Sequence, residues 1–408
     1  MKAHWWCLAL FVACAPQPPN VAPAVETDPV EPTRETADAS VFIEDAGALE
    51  EADAGLLEEI DAGPAVIYPV PDWPTGTPES QGLDSLDLAT AGAAAAPDSF
   101  CLLVIRHGVL VHEQYWNGGT PTSRHPSWSI AKSWTSTLVG IAIDRGEIHG
   151  LDQSVADFIP EFRGTDRAAI TIRELVSMTS GLRWSAFQDY VQMATLAQDH
   201  SEFAVDQPLM DPPGSRWTYD NAGVQVLERV FRVATGRTVE QYAQTHLWSR
   251  LGMTASWGAD RAGNPTTYAN VLASCRDQAR LGYLFLRKGK WAGEQIVSES
   301  WVNQALTPSQ PFNRAYGFLW WLNGEAPAQD AMMEPWPGRA VPYAPPDLFA
   351  ARGFGNQVID VVPSLDLVVV RFGKDPAGGG FDLGKLIVDS RFEKHDAIFQ
   401  PILGAVRP

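Results

Sequence analysis

The sequence predicts a mixed α/β fold of the α+β kind: an antiparallel sheet flanked by helices, with an all-helical subdomain inserted in the chain. Three observations predict it. Two β-rich runs, 100–106 and 109–115, meet at His107-Gly108, a hairpin signal, near the start of the folded region. Two more, 357–362 and 366–372, are separated by Pro363-Ser364 near its end. Between these pairs lie segments with helical periodicity. A sheet whose strands come from both ends of the chain, with helices on its faces, satisfies all three.

The first sixty-six residues stand apart. Lys2 followed by an apolar run from Trp5 to Ala13 reads as an export signal, too short to span a bilayer. Residues 1–14 read as a lipoprotein signal: the run closes Phe11-Val12-Ala13-Cys14, which resembles a bacterial lipobox, and Cys14 is the expected lipidated N-terminus once the residues before it are cleaved. Several acyl chains on one cysteine give stable anchoring where a single chain does not. Residues 15–66 hold thirteen acidic side chains and one basic, and almost no aromatics. Such a composition cannot bury enough apolar surface to order the chain, so this segment is expected to be disordered. At about 40 Å root-mean-square span it suits a tether between membrane and domain. The expected location is the bacterial cell envelope, with free secretion as the alternative.

The formal net charge of the whole chain is −19, most of it in that acidic tract. This balance argues against nucleic acid and against adhesion to anionic lipid headgroups, leaving the lipid anchor as the one membrane contact. The folded domain is expected over 67–408. Its helices are predicted at 85–96, 222–234, 238–250, 274–288, 298–306 and 382–402. Thr171 with Glu174 three residues on forms a capping box, and Gly181 ends that segment. Residues 185–210 lack clear periodicity.

The chemistry centres on Ser127 to Arg145. Between Ser129 and Asp144 this apolar helix contains one charge, Lys132, three residues after Ser129 and on the same helical face. Of seven lysines in the chain, Lys132 alone has serine at minus three. Burial disfavours the ammonium form, and a lysine neutral near pH 7 can act as a base toward a serine nucleophile. A chance Ser-x-x-Lys, with Ser129 as an N-cap and Lys132 solvated, is the competing reading, but the following residues offer no polar face to which Lys132 could belong. Tyr219, in Tyr219-Asp220-Asn221 after a Pro-Pro-Gly turn, is the candidate proton relay, as a tyrosinate or through a proton shared with Lys132. Asn221 is placed either to hold the lysine or to bind substrate. A second Tyr-x-Asn, Tyr268-Ala269-Asn270, is assigned a structural role.

These stretches carry a resemblance. Ser129-Ile-Ala-Lys132, Ile141 to Gly146 with Leu151-Asp152, Thr171 to Leu182, Pro213-Gly214 through Asn221, Leu251-Gly252-Met253, and Arg276-Asp277 with Ala279 to Gly282 together resemble the class C β-lactamase-like serine hydrolases. The resemblance covers nearly all of 67–408 and implies a β-lactamase/transpeptidase-like fold, an acyl-enzyme on Ser129, and roles for Lys132 and Tyr219. It also implies an oxyanion hole from the N–H groups of Ser129 and Phe354, with the small Gly353 admitting substrate. One departure matters. Where the family has Lys-Thr-Gly or His-Thr-Gly, this chain reads Ala351-Arg352-Gly353. The cation is gone from the first position, and Arg352, in the middle of the strand triplet, should point away. The Gly-Phe-Gly-Asn-Gln form, with Met178 to Trp184, looks closest to the 6-aminohexanoate-dimer hydrolase and esterase branch.

The expected function is therefore hydrolysis of small-molecule carboxylic esters or small amides. The alternative is a D-amino-acid peptidase or β-lactamase on peptidoglycan-type or β-lactam substrates. A catalytically silent envelope-binding protein is disfavoured by the intact Ser129, Lys132 and Tyr219. The histidines show no metal-ligand spacing, no Gly-x-Ser-x-Gly elbow occurs, and no cofactor is expected. Among the tryptophans near the motifs (128, 134, 184, 217, 320 and 321) some are expected in an acyl pocket and most in the core. Export permits a disulfide between Cys101 and Cys275, but sequence alone does not place them within bonding distance, and two buried thiols are the expected state.

Overall fold

A computed structural model describes residues 66–374 and 393–407. The expectations for Cys14, the export signal and most of the acidic tract lie outside the described residues, as does the start of the last predicted helix.

The His107-Gly108 hairpin forms as its sequence asks. Both residues have positive φ, 52° and 81°, the two-residue turn that matches strand twist. It joins β1 (Ser99–Arg106) to β2 (Val109–Tyr115). A small three-stranded sheet follows in chain order: β3 (Arg124–Pro126), β4 (Ala255–Trp257) and β5 (Val271–Ser274). Then come β6 (Trp321–Leu322), β7 (Phe349–Gly353), β8 (Gln357–Val362) and β9 (Leu367–Gly373). The main sheet runs β2-β1-β9-β8-β7-β6, with every pairing antiparallel. The adjacent strands β1 and β9 thus come from opposite ends of the folded region.

The central strands are apolar without alternation because both faces are covered. On β1, Cys101, Leu103 and Ile105 enter one core, while Leu102 and Val104 enter the other. The larger core holds α2 (Ala131–Asp144), α3 (Asn221–Thr235) and α4 (Cys275–Leu286). Helix α4 presses on the sheet at Gly282, where a Cβ would sit 2.7 Å from the Ile359 side chain. The smaller core lies under α1 (Ser85–Ala95) and α5 (Glu393–Gly404).

Caps set these ends. Asp84 caps α1, Ser274 caps α4, and Thr171 with Glu174 forms the predicted box. Residues 187–196 are helical after all, in a wide turn closed by i→i+5 bonds such as Ala197 N–H to Gln192 C=O. Such a turn has no 3.6-residue repeat, which is why no periodicity appears in the sequence. A second wide turn, Gln244–Trp248, interrupts the helix predicted over 238–250.

The expectation for the cysteines is corrected. Cys101 and Cys275 form a disulfide, their Cα atoms 6.7 Å apart. The two positions are 174 residues apart in sequence. Only the packing of α4 on β1 brings them within bonding reach. Among the described residues no helix is long and apolar enough to cross a membrane.

Candidate active site

The nucleophile's turn is built before the helix begins. Residues Trp128–Ile130 form a 3-10 turn that runs directly into α2. Trp128 has φ 47°, a left-handed conformation that a bulky residue adopts only when held there. The holding bonds come from the segment that includes β5: Ser127 N–H to Val271 C=O at 3.0 Å, Val271 N–H to Ser127 Oγ at 2.9 Å, and Asn270 N–H to Trp128 C=O at 3.1 Å.

One turn on, Lys132 is 1 % exposed. Its Nζ lies 3.0 Å from Ser129 Oγ and donates to the Tyr268 carbonyl at 2.9 Å. It also lies 4.8 Å from the centroid of the Tyr219 ring. Burial pulls the lysine down to about 7, against the upward pull of Asp189 and Asp220. The amine is therefore substantially neutral at physiological pH. Tyr219 lines the same cavity as Ser129, and the Ser129 side chain acts to lower its pKa. Burial pushes this phenol well above its ordinary value, so it rests protonated and the tyrosinate alternative falls away. Its ring is fixed by stacking on Trp321, centroids 5.7 Å apart.

Strand β7 delivers the third part. A Cβ on Gly353 would lie 2.4 Å from the Ser127 carbonyl and 3.1 Å from Ser129 N, so the strand end rests directly on the nucleophile's turn. Phe354 follows, its ring edge-on to Trp128 at 5.3 Å. Ala351 is fully buried. Arg352 directs its guanidinium to Asp360 at 3.5 Å, and Asp360 in turn meets His395 of α5 at 2.7 Å. The arginine side chain thus leaves the face of Ala351 and Gly353 toward Asp360, as strand alternation requires, while Arg352 still borders the cavity that holds Ser129.

Ser129, Tyr219, Asn221, Gly353 and Phe354 all line one cavity of about 370 Å³. Trp128, Tyr190, Trp321 and Tyr268 give it aromatic walls. Of the other tryptophans, Trp134, Trp217 and Trp320 are core, and Trp184 donates its indole N–H to Asp189. Among the described residues Asn221 makes no hydrogen bond to Lys132, which leaves its cavity-facing role. Tyr268-Ala269-Asn270 is not merely structural: it lines the cavity, and its first carbonyl takes the lysine. That segment is pinned by Thr135 Oγ1 to Thr267 C=O at 2.7 Å and by Gln225 Oε1 to Thr267 N–H at 3.0 Å. Sequence reasoning also passed over Asp189, His200 and Asp220. Asp220 was visible inside the tyrosine motif; Asp189 lay in the segment without periodicity.

This arrangement pairs an alcohol with a desolvated amine and a phenol on one cavity, groups that acyl transfer uses. Residues 87–386 match the Beta-lactamase family.

The chain belongs to the beta-lactamase family.

Within the beta-lactamase family its relatives include the 6-aminohexanoate-dimer hydrolase of Paenarthrobacter ureafaciens, 26% identical over 252 residues. That match covers 54% of this chain and 64% of the relative, so it spans less than two thirds of the latter. Two solved structures share the fold. A penicillin-binding protein from Bacillus halodurans aligns with TM-score 0.54 and 16% identity, covering 74% of this chain and 97% of its own. EstCE1, a hydrolase with promiscuous acyltransferase activity, aligns with TM-score 0.58 and 16% identity, covering 77% and 99%. The sequence motifs at Ser129, Lys132 and Tyr219 therefore sit in a beta-lactamase fold.

Proposed function

We propose that this chain is a serine hydrolase that acts through an acyl-enzyme on small carboxylic esters or small amides. One observation carries the reading: a buried lysine amine 3.0 Å from the Ser129 hydroxyl, with Tyr219 on the wall of the same cavity. Lys132 accepts the Ser129 proton as Oγ attacks the carbonyl carbon. The oxyanion forms against the N–H groups of Ser129 and Phe354. Tyr219 passes a proton to the departing alcohol or amine and recovers one from Lys132. Water then attacks the acyl-enzyme by the reverse path. The kinship with a 6-aminohexanoate-dimer hydrolase supports amides of linear acyl chains as well as esters.

The test is hydrolysis of p-nitrophenyl esters by wild type and Ser129→Ala. Loss of at least a thousandfold in the variant is expected, and equal rates would end the reading. The D-peptidase or β-lactamase alternative predicts stable acylation by a labelled penicillin. Ala351 supplies no cation at the first position of the strand triplet and the Arg352 guanidinium is engaged by Asp360, so no such adduct is expected. For placement, the lipobox-like ending at Cys14 and the acidic tract support an envelope protein held by lipid. Metabolic labelling with palmitate, lost in Cys14→Ala, tests it; an unlabelled, freely secreted protein refutes it.

A further inference from the structure

Two buried carboxylic acids take no part in the steps above. Asp189 is fully buried and Asp220 is 3 % exposed. Both belong to the surroundings of the turn that carries Tyr219. Asp189 Oδ2 accepts the Asn221 backbone N–H at 2.8 Å and the Trp184 indole N–H at 3.1 Å. Asp220 Oδ2 accepts from the Ser180 hydroxyl at 3.0 Å. The second oxygen of each, Oδ1, is buried and has no hydrogen-bond partner among the described residues. A buried carboxylate oxygen with no donor is costly as an anion and much less so as part of a neutral acid.

The groups facing the pair are known. Lys132 is the cation that acts on both acids. Tyr190, Tyr219 and Tyr268 all feel Asp189, and burial keeps all three phenols protonated. Asp330 acts on Tyr190, and His200, which burial holds toward its neutral form, bonds the Tyr268 hydroxyl. One amine, at most singly positive, therefore faces two carboxyl groups in a water-poor shell. Two anions beside one cation would leave a net buried charge, which such a shell does not tolerate. Burial pushes Asp220 up to about 6 against the Gly223 and Ala222 N–H groups and the Ser180 hydroxyl, and burial together with the Asp220 charge pushes Asp189 well above the carboxylate range.

We propose that Asp189 and Asp220 together hold one proton and one negative charge near neutral pH, and that this single charge is the counter-ion for the ammonium formed on Lys132 as Ser129 gives up its proton. The balance is simple. The Ser129 proton moves to Lys132, the negative charge moves to the carbonyl oxygen, and the carboxyl pair keeps its proton throughout. The pair acts through Lys132 and touches no substrate, so these are positioning residues whose contribution is charge.

The test is the acid limb of the kcat/KM profile for a p-nitrophenyl ester, which reports Lys132 in the free enzyme. In Asp189→Asn or Asp220→Asn the remaining acid is the one carboxyl of the pair left facing Lys132 and carries the same single charge. Each single variant is expected to leave the limb where it lies in wild type. The double variant has no counter-ion, and its limb should fall by about one pH unit or more. A limb that moves in each single variant means two charges; one unmoved in the double means none. Either overturns the proposal, and a purely structural role would lower the plateau without shifting the limb.

Infrared spectroscopy gives a readout independent of folding in the double variant and of turnover. Wild type at pH 7 should show a protonated carboxyl band that both single variants lack. Its absence from wild type, or its persistence in both singles, also overturns the proposal. The kinetic arm rests on the hydrolase reading. If wild type fails to cleave esters, that reading fails while the infrared arm still decides the charge count.

Discussion

Gly353→Ala isolates the contact between strand β7 and the nucleophile's turn. The added Cβ would stand 2.4 Å from the Ser127 carbonyl oxygen, 3.1 Å from Ser129 N and 3.1 Å from the Trp128 Cβ. Ordinary van der Waals contact begins near 3.4 Å, so one side must retreat by about 1 Å. The turn has little freedom to do so. It is tied to Val271 of β5 and to Asn270 just before it by three hydrogen bonds and carries Trp128 in a left-handed conformation. The strand end with Phe354 moves instead, and one oxyanion N–H passes from about 2.9 Å to beyond 3.5 Å of the developing charge. Losing one such donor costs about a hundred- to a thousandfold in kcat. Overpacking at the same place costs about 1–3 kcal/mol of stability. The assay is steady-state ester hydrolysis beside a thermal melt, with KM expected to change little because the donor acts on the transition state. A variant with wild-type kcat would show that β7 does not form the oxyanion site.

Three other outcomes follow from the same geometry. With Lys132 held at about 7, ester turnover should fall tenfold per pH unit below that value, since the ammonium cannot accept a proton. The same shift links to stability. The unfolded chain binds this proton up to its ordinary pKa of 10.5 and the folded chain only below about 7. Stability therefore rises with pH across that window, and at pH 7 the desolvated amine is a cost. Lys132→Met should be inactive yet melt higher, by about 1–3 kcal/mol; a lower melting point would show that the lysine stabilises the fold. Tyr219→Phe keeps the ring stacked on Trp321 and removes only the hydroxyl. A loss of about a hundred- to ten-thousandfold in kcat with an unchanged melt is expected, and near-full activity would remove Tyr219 from the relay. The Cys101–Cys275 bond closes 174 residues of chain. By loop entropy it is worth about 5 kcal/mol, so Cys101→Ala with Cys275→Ala should lower the melting temperature strongly. A melt that does not move would mean the unfolded chain is not constrained by the bond.

What the amino-acid order by itself determined here is whatever depends on neighbours a few residues apart. The Ser129–Lys132 spacing, the Thr171 box and the His107-Gly108 turn are local, and each forms as its residues dictate. Even the direction of Arg352 followed from strand alternation alone. The two wide helical turns escaped because their repeat differs from 3.6 residues. Only tertiary packing decided the rest. It joined Cys101 to Cys275, set the Tyr268 carbonyl on Lys132, and brought Asp189 beside Asp220 around one ammonium. Those groups come from segments tens to more than a hundred residues apart, and their chemistry depends on exclusion from water. Burial is a property of the folded whole, and no short window of sequence contains it.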